Sequence, residues 1–125
     1  MTVWAKGWVT KMRVYLAGPM RGIKAYNHPA FDRAAAKLRD EGHEVFSPAE
    51  HDRDLWPDLD WPNFTGDLAV DGFSGVDMRK VIKADLDWIA DIAEAIALLP
   101  GWENSRGACT EHALGIFLGL WIRKL

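Results

Sequence analysis

Apolar positions along this chain fall into short unbroken runs separated by stretches of helical period. The run Arg13-Val14-Tyr15-Leu16-Ala17, opened by Met12 and closed by Gly18-Pro19, reads as a strand. Phe31, Ala34, Ala35 and Leu38 then recur at helical spacing, and Glu41-Gly42 supplies a stop. Val45-Phe46 is a short strand ahead of Ser47-Pro48. A second helix is marked by Val81, Ile82, Leu86 and Ile89, with Asp77 as its expected N-cap. Asp85 interrupts the otherwise apolar side of that helix. Glu94 to Leu99 has the continuous apolar character of a strand covered on both faces. Ala108, Leu114, Phe117 and Leu118 follow at helical period, and Trp121-Ile122 is a last short strand. Strands alternating with helices predict an α/β fold. The expectation is a Rossmann-like (flavodoxin-like) three-layer sandwich, with a small parallel sheet of four to five strands and helices on both faces.

Two segments stand outside this rhythm. Residues 1–11 carry Trp4 and Trp8 without clear period and read as an appendage, with Met12 an alternative native start. Residues 49–76 are rich in Asp, Trp, Pro and Gly, and a connection this long predicts a mobile flap held by aromatic anchors. Its aspartates match no calcium-loop spacing, so a metal site is not expected there. The remainder, 12–125, reads as a single domain without internal repeats.

Composition narrows the class. The net charge of −3 is the wrong sign for a protein that binds a nucleic-acid backbone. No apolar run reaches membrane-spanning length, and no secretory leader pattern opens the chain. Cys109 is the only cysteine, which rules out an internal disulfide and fits a reducing cytoplasm. With no evident base beside it, Cys109 reads as a small core or pocket-wall residue rather than a nucleophile. Seven Trp in 125 residues point to stacking surfaces or an interface.

The chemistry concentrates after the strand 94–99. There Pro100 to Ser105 has the composition of a turn, and Ser105 is placed to cap the next helix. Gly107 leaves the first turn bare. A strand, a small-residue loop and an open helix N-terminus form an anion site, most often for phosphate. Glu111 lies six residues further on, about 9 Å along the helix at ~1.5 Å per residue. That matches the reach from a 5′-phosphate to the anomeric carbon of its sugar. Gly107 and Gly115 flank Glu111 on one face; they weaken the helix and leave room over the carboxylate. In a parallel sheet the loops after the strands gather at one end. This brings 18–30, 48–80 and 100–107 together, with Tyr15, Arg21, Asp85, Ser105 and Glu111 converging on one pocket. Each residue also has a plain structural reading: a cap for Ser105, a half-buried strand residue for Tyr15, and solvated side chains for Arg21, Asp85 and Glu111.

Three motifs in order carry a resemblance. Tyr15-Leu16-Ala17-Gly18-Pro19-Met20-Arg21-Gly22 is similar to the first strand and loop of the nucleoside 2-deoxyribosyltransferase superfamily. Asp85-Leu86-Asp87-Trp88-Ile89, with the strand to Leu99, is similar to its second half. Ser105-Arg106-Gly107 with Glu111-His112-Ala113 is similar to the helix carrying its nucleophile. The likeness runs from Met12 to the C-terminus, outside 49–76. It is nearest to the 2′-deoxynucleoside 5′-monophosphate N-hydrolase branch and to short phage and bacterial proteins of unassigned function.

The resemblance implies cleavage of an N-glycosidic bond through a covalent deoxyribosyl-glutamate, without cofactor or metal. Glu111 matches the nucleophile, Asp85 an aspartate that assists the departing base or holds the sugar, and Tyr15 a tyrosine beside the nucleophile. Gly18, Met20, Arg21, Gly22, Ser105, Arg106 and Gly107 match substrate-binding positions. Ser105 matches the monophosphate hydrolases, where base-exchanging transferases tend to carry Asp. Arg21 matches an arginine of the hydrolase pattern. Thr110 and His112 depart from the usual residues and leave the base open. The alternatives are a transferase that exchanges bases and a catalytically silent nucleotide-binding or partner-binding protein. The implied partners are a small nucleotide or nucleoside and further copies of the chain, as a homodimer or a dimer of dimers. Nucleic acid and membrane are not expected.

Overall fold

The computed structural model describes residues 2–3, 10–72 and 78–125. The expectations for Trp4, Trp8 and Asp77 lie outside the described residues. Among those described, the strands are β1 (Thr2–Val3), β2 (Arg13–Ala17), β3 (Glu44–Phe46), β4 (Ala95–Leu98) and β5 (Trp121–Lys124). The helices are α1 (His28–Asp40), α2 (Pro48–Leu55), α3 (Met78–Asp91) and α4 (Arg106–Leu118). All strands pair in parallel in the order β1-β5-β4-β2-β3. Apart from the edge strand β1, contributed by the 1–11 segment, this is the flavodoxin-like order, as expected.

The unbroken apolar runs of β2 and β4 follow from cover on both faces. Val14 and Leu16 of β2, with Ala95 and Ala97 of β4, pack against Phe31, Ala34, Ala35 and Leu38 of α1. Tyr15 and Ala17, with Ile96 and Leu98, face Ile89 of α3 and Ala108 of α4. Gly18 ends β2 where a Cβ would stand 2.7 Å from Leu99 Cβ, so the loops leaving β2 and β4 touch at their origin.

Residues 49–76 depart from the expected loop. The segment begins inside a helix, α2, with Pro48 in its first turn. This helix carries no apolar stripe, because only Pro48 and Ala49 are buried; its remaining residues are mostly polar, so periodicity did not mark it. The aromatic anchors are present. Tyr26 and Trp61 form a small second core with Trp56, Leu59, Phe64 and Leu68 around them. The segment is tied to the loop after β2 by Gly22 N–H donating to Gly66 O (2.9 Å) and Ala25 N–H to Phe64 O (2.7 Å). In that loop Ala25, Tyr26 and Asn27 all have positive φ, 56°, 50° and 60°. A left-handed turn of non-glycine residues costs roughly 1–2 kcal/mol per residue. It is held by the Phe64 bond and by Asn27 Nδ2 donating to Pro19 O at 2.9 Å.

Two expectations for α4 are corrected. Phe117 and Leu118 do not face the core: Phe117 is 84% exposed, and the buried positions are Ala108, Glu111 and Gly115. The glycines beside Glu111 are also not equivalent. A Cβ at Gly115 would lie 2.4 Å from Ile96 Cδ1, so this glycine lets α4 approach the sheet. At Gly107 the only neighbour is Ser105 Oγ at 3.9 Å, and that space is open. Ile96 is fully buried, so moving its terminal methyl disturbs the packed core. Gly115→Ala is therefore expected to cost about 1–3 kcal/mol by overpacking. Gly107→Ala should change stability far less; urea unfolding of both variants measures the difference.

Candidate active site

In a sheet of this order, β2 and β4 are neighbours whose connections leave in opposite directions, and a crevice opens at their carboxyl ends. A cavity of about 540 Å³ lies there, within the range of small-molecule sites. Its wall combines Gly18 to Arg21 after β2, Pro48 and Asp52 of α2, Met78, Val81, Ile82 and Asp85 of α3, and Asn104 to Ala108 with Glu111 around the start of α4. Trp56, Trp61 and Leu68 come from the 49–76 segment, and Tyr26 from the left-handed turn. The three loops thus meet as their position after the strands requires.

Glu111 is a buried carboxylate of the site, 5% exposed, on the face of α4 turned toward the sheet. Tyr15 lies beneath it rather than in the wall. This residue is fully buried on β2, and its hydroxyl donates to Glu111 Oε2. Its ring is fixed by stacking on Phe46 (5.5 Å, 16°) and by contact with Trp88 (6.3 Å). Asp85, 7% exposed, stands close enough for the same hydroxyl to stabilise its charge.

The electrostatics follow from burial. Loss of solvent pushes Glu111 up to about 8; the Tyr15 hydrogen bond opposes this, and the Asp85 charge adds to it. Burial takes Asp85 to about 7, against the pull of Tyr15. Tyr15 itself is held well above its usual range by burial and by the two carboxylates. Perturbed acids gathered in one cleft are the pattern of a functional site.

The start of α4 lines the same cavity. Ser105 Oγ accepts from Ala108 N–H at 3.2 Å, which caps α4 as expected. Gly107, in the first turn, lines the cavity and puts no side chain over it. Arg106 and Arg21 are both exposed and both line it. Met20 and Gly18 are in the wall, but Gly22 is not: it serves as the donor that holds Gly66. Thr110 lines the cavity, whereas His112 packs on the Trp102 ring at 4.5 Å. Cys109 is half-buried, with its thiol donating to the Trp102 and Glu103 carbonyls.

Asp52 is a site residue that the sequence reading placed in a flap. Burial and the Asp85 charge raise it to about 7, against the pull of Arg53. One signal pointed to it: Pro48 after Ser47 is a helix-start pair, and Asp52 lies four residues on, on the same helical face. Among the described residues, no three His, Cys, Asp or Glu side chains are placed to hold a metal ion. Nor is any described helix long and apolar enough to cross a membrane.

The class these features define is an α/β protein with a parallel sheet and a carboxylate-lined cavity at its topological switch point. Residues 12–123 match the family described as Domain of unknown function (DUF4406), and the chain belongs to that family. No curated protein matches the chain.

Burial of Glu111 has a thermodynamic consequence. Its folded value of about 8 lies above the ordinary 4.5, so the folded state holds the proton more tightly. Its contribution to stability is whole below about pH 4.5 and is lost as pH rises through about 8. The loss is about 1.4 kcal/mol for each pH unit between the two values. Glu111→Gln should therefore be more stable than the unchanged chain at pH 9, by several kcal/mol, with the difference shrinking toward zero near pH 4.5. Thermal unfolding across that range measures this, and a constant difference would contradict an ionisable buried Glu111.

Proposed function

We propose that this protein cleaves the N-glycosidic bond of a 2′-deoxynucleoside 5′-monophosphate, with Glu111 as the nucleophile. The carrying observation is the buried Glu111 carboxylate, held by Tyr15 in a cavity that the start of α4 also lines. The resemblance to the nucleoside 2-deoxyribosyltransferase superfamily supports the same reading through Tyr15, Asp85, Ser105 and Glu111.

The chemistry follows from the geometry. The α4 amides, Ser105 and Arg21 hold the phosphate at one end. Ser105 adds a neutral donor and no repelling charge. The aromatic and aliphatic wall of Tyr26, Trp56, Trp61, Val81 and Ile82 receives a planar base. Ionised Glu111 is unfavourable in the empty cavity, and the positive charge developing at C1′ relieves it. The stabilisation is therefore greatest in the transition state, where it lowers the barrier. Tyr15 keeps the carboxylate aimed and partly offsets its desolvation. Water then releases the sugar; a second base in place of water gives the transferase reaction.

Incubation with a panel of deoxynucleosides and their 5′-monophosphates, with and without an acceptor base, tests this by chromatography. We expect monophosphates to be cleaved preferentially, and Glu111→Gln to lose base release by orders of magnitude. Arg21→Ala should weaken the monophosphate far more than the nucleoside. Equal use of both substrate types before and after that change would favour base exchange on free nucleosides.

We also propose a homodimer. Ile116, Phe117 and Leu118 of α4 and Trp121 of β5 are large apolar side chains left exposed within six residues of one another. Light scattering at micromolar concentration should give twice the 14.1 kDa chain mass, and Phe117→Asp should return the monomer. A mass of one chain in the unchanged protein would refute the dimer.

A further inference from the structure

We propose that Asp52 is a second acid of the site, acting with Asp85 to supply the proton to the departing base and to take one back from the attacking water. This rests on the glycosidase reading and deepens it, because nothing in the resemblance assigns Asp52 a role.

The geometry begins with α2 and α3, which flank Phe46. His51, next to Asp52, packs on Phe46 at 5.4 Å, and Trp88, three residues after Asp85, packs on it at 5.1 Å. Both helices present a carboxylate to the same cavity, beside Trp56 and Val81. Asp52 is half-buried and Asp85 buried. Burial raises both acids, and the Asp85 charge raises Asp52 further, so both hold protons toward neutral pH and Asp52 titrates under the influence of Asp85. Each stands near 7, in agreement with the placement. Among the described residues, Arg53 is the cation that lowers Asp52, and it is shared with other partners. Arg53, next along α2, is engaged by Asp32 (2.8 Å) and by His28 Nδ1 (3.1 Å). Arg21 and Arg106 are exposed cavity-wall residues. Glu111, itself raised by burial, brings no positive charge, and Tyr15 donates to it.

The step balances without a further reactant. Glu111 attacks C1′ and forms the ester while the C1′–N bond breaks. The bonding pair goes to the base nitrogen, and the aspartate pair delivers its proton to the base. Water then adds to C1′ and expels Glu111 as a carboxylate, and the water's proton returns to the aspartate pair. One water is consumed; the base and deoxyribose 5-phosphate are released.

Leaving-group dependence tests this. The monophosphate cleaved by the unchanged chain is compared with an analogue whose base is a nitro-substituted azole, which departs as an anion without protonation. Asp52→Asn should lose on the order of 10²–10³-fold with the natural base and less than tenfold with the azole. Glu111→Gln should lose heavily with both. Equal losses for Asp52→Asn with the two substrates, or no loss with either, would overturn the acid role while leaving the glycosidase reading intact. No cleavage by the unchanged chain would overturn that reading and the acid role with it. Carbon-13 NMR of labelled Asp carboxyls decides the coupling of the two acids without turnover and reports whether the variants fold. Two Asp signals should titrate near neutral pH, and in Asp85→Asn the Asp52 signal should move toward the ordinary acid range. Both signals titrating near pH 4 in the unchanged chain would refute the coupling.

Discussion

The hydrogen bond from Tyr15 to Glu111 joins the central strand β2 to the helix α4 beneath the cavity, and the remaining features of the site are arranged around it. Burying a carboxylate is costly unless something satisfies it. Here the partner is a fully buried phenol whose own ring is fixed by Phe46 and Trp88. That bond aims Glu111 at the cavity floor and leaves its charge poorly solvated. The same desolvation that raises Glu111 and Asp85 makes them responsive to positive charge appearing above them.

The sheet order supplies the space. Because β2 and β4 are adjacent and their connections diverge, the cavity needs no special excavation. It is closed from the side by a second small core built on Trp61 and Tyr26. Positioning Tyr26 there requires three consecutive left-handed residues, a strain offset by hydrogen bonds to Pro19 and Phe64. The wall is therefore mixed: Ser105, Gly107 and Arg106 line it from the start of α4, Tyr26, Trp56 and Trp61 from the second core, and Asp52, Asp85 and Glu111 stand in the same wall.

Much of this was legible in the chain. The runs at 13–17 and 94–99 and the spacing of Phe31, Ala34, Ala35 and Leu38 determine strands and a helix by local pattern. A parallel sheet is the ordinary way to bury such runs on both faces. Ser105 as a cap, and Asp85 and Glu111 as carboxylates on apolar helix faces, stood out because each breaks its local pattern.

Tertiary structure decided what local pattern does not encode. Helix α2 carries no apolar stripe, so Asp52 became a wall residue only once Phe46 and its neighbours placed α2 beside α3. Gly107 and Gly115 have the same chemistry and symmetric spacing about Glu111, yet one faces open space and the other the side chain of Ile96, because the helix lies against the sheet at only one of them. Phe117 fits a helical period and still points outward, since period determines which residues share a face and not which face the sheet covers. Residue identity determined which groups can carry charge; burial, a property of the whole fold, determined where their protons reside.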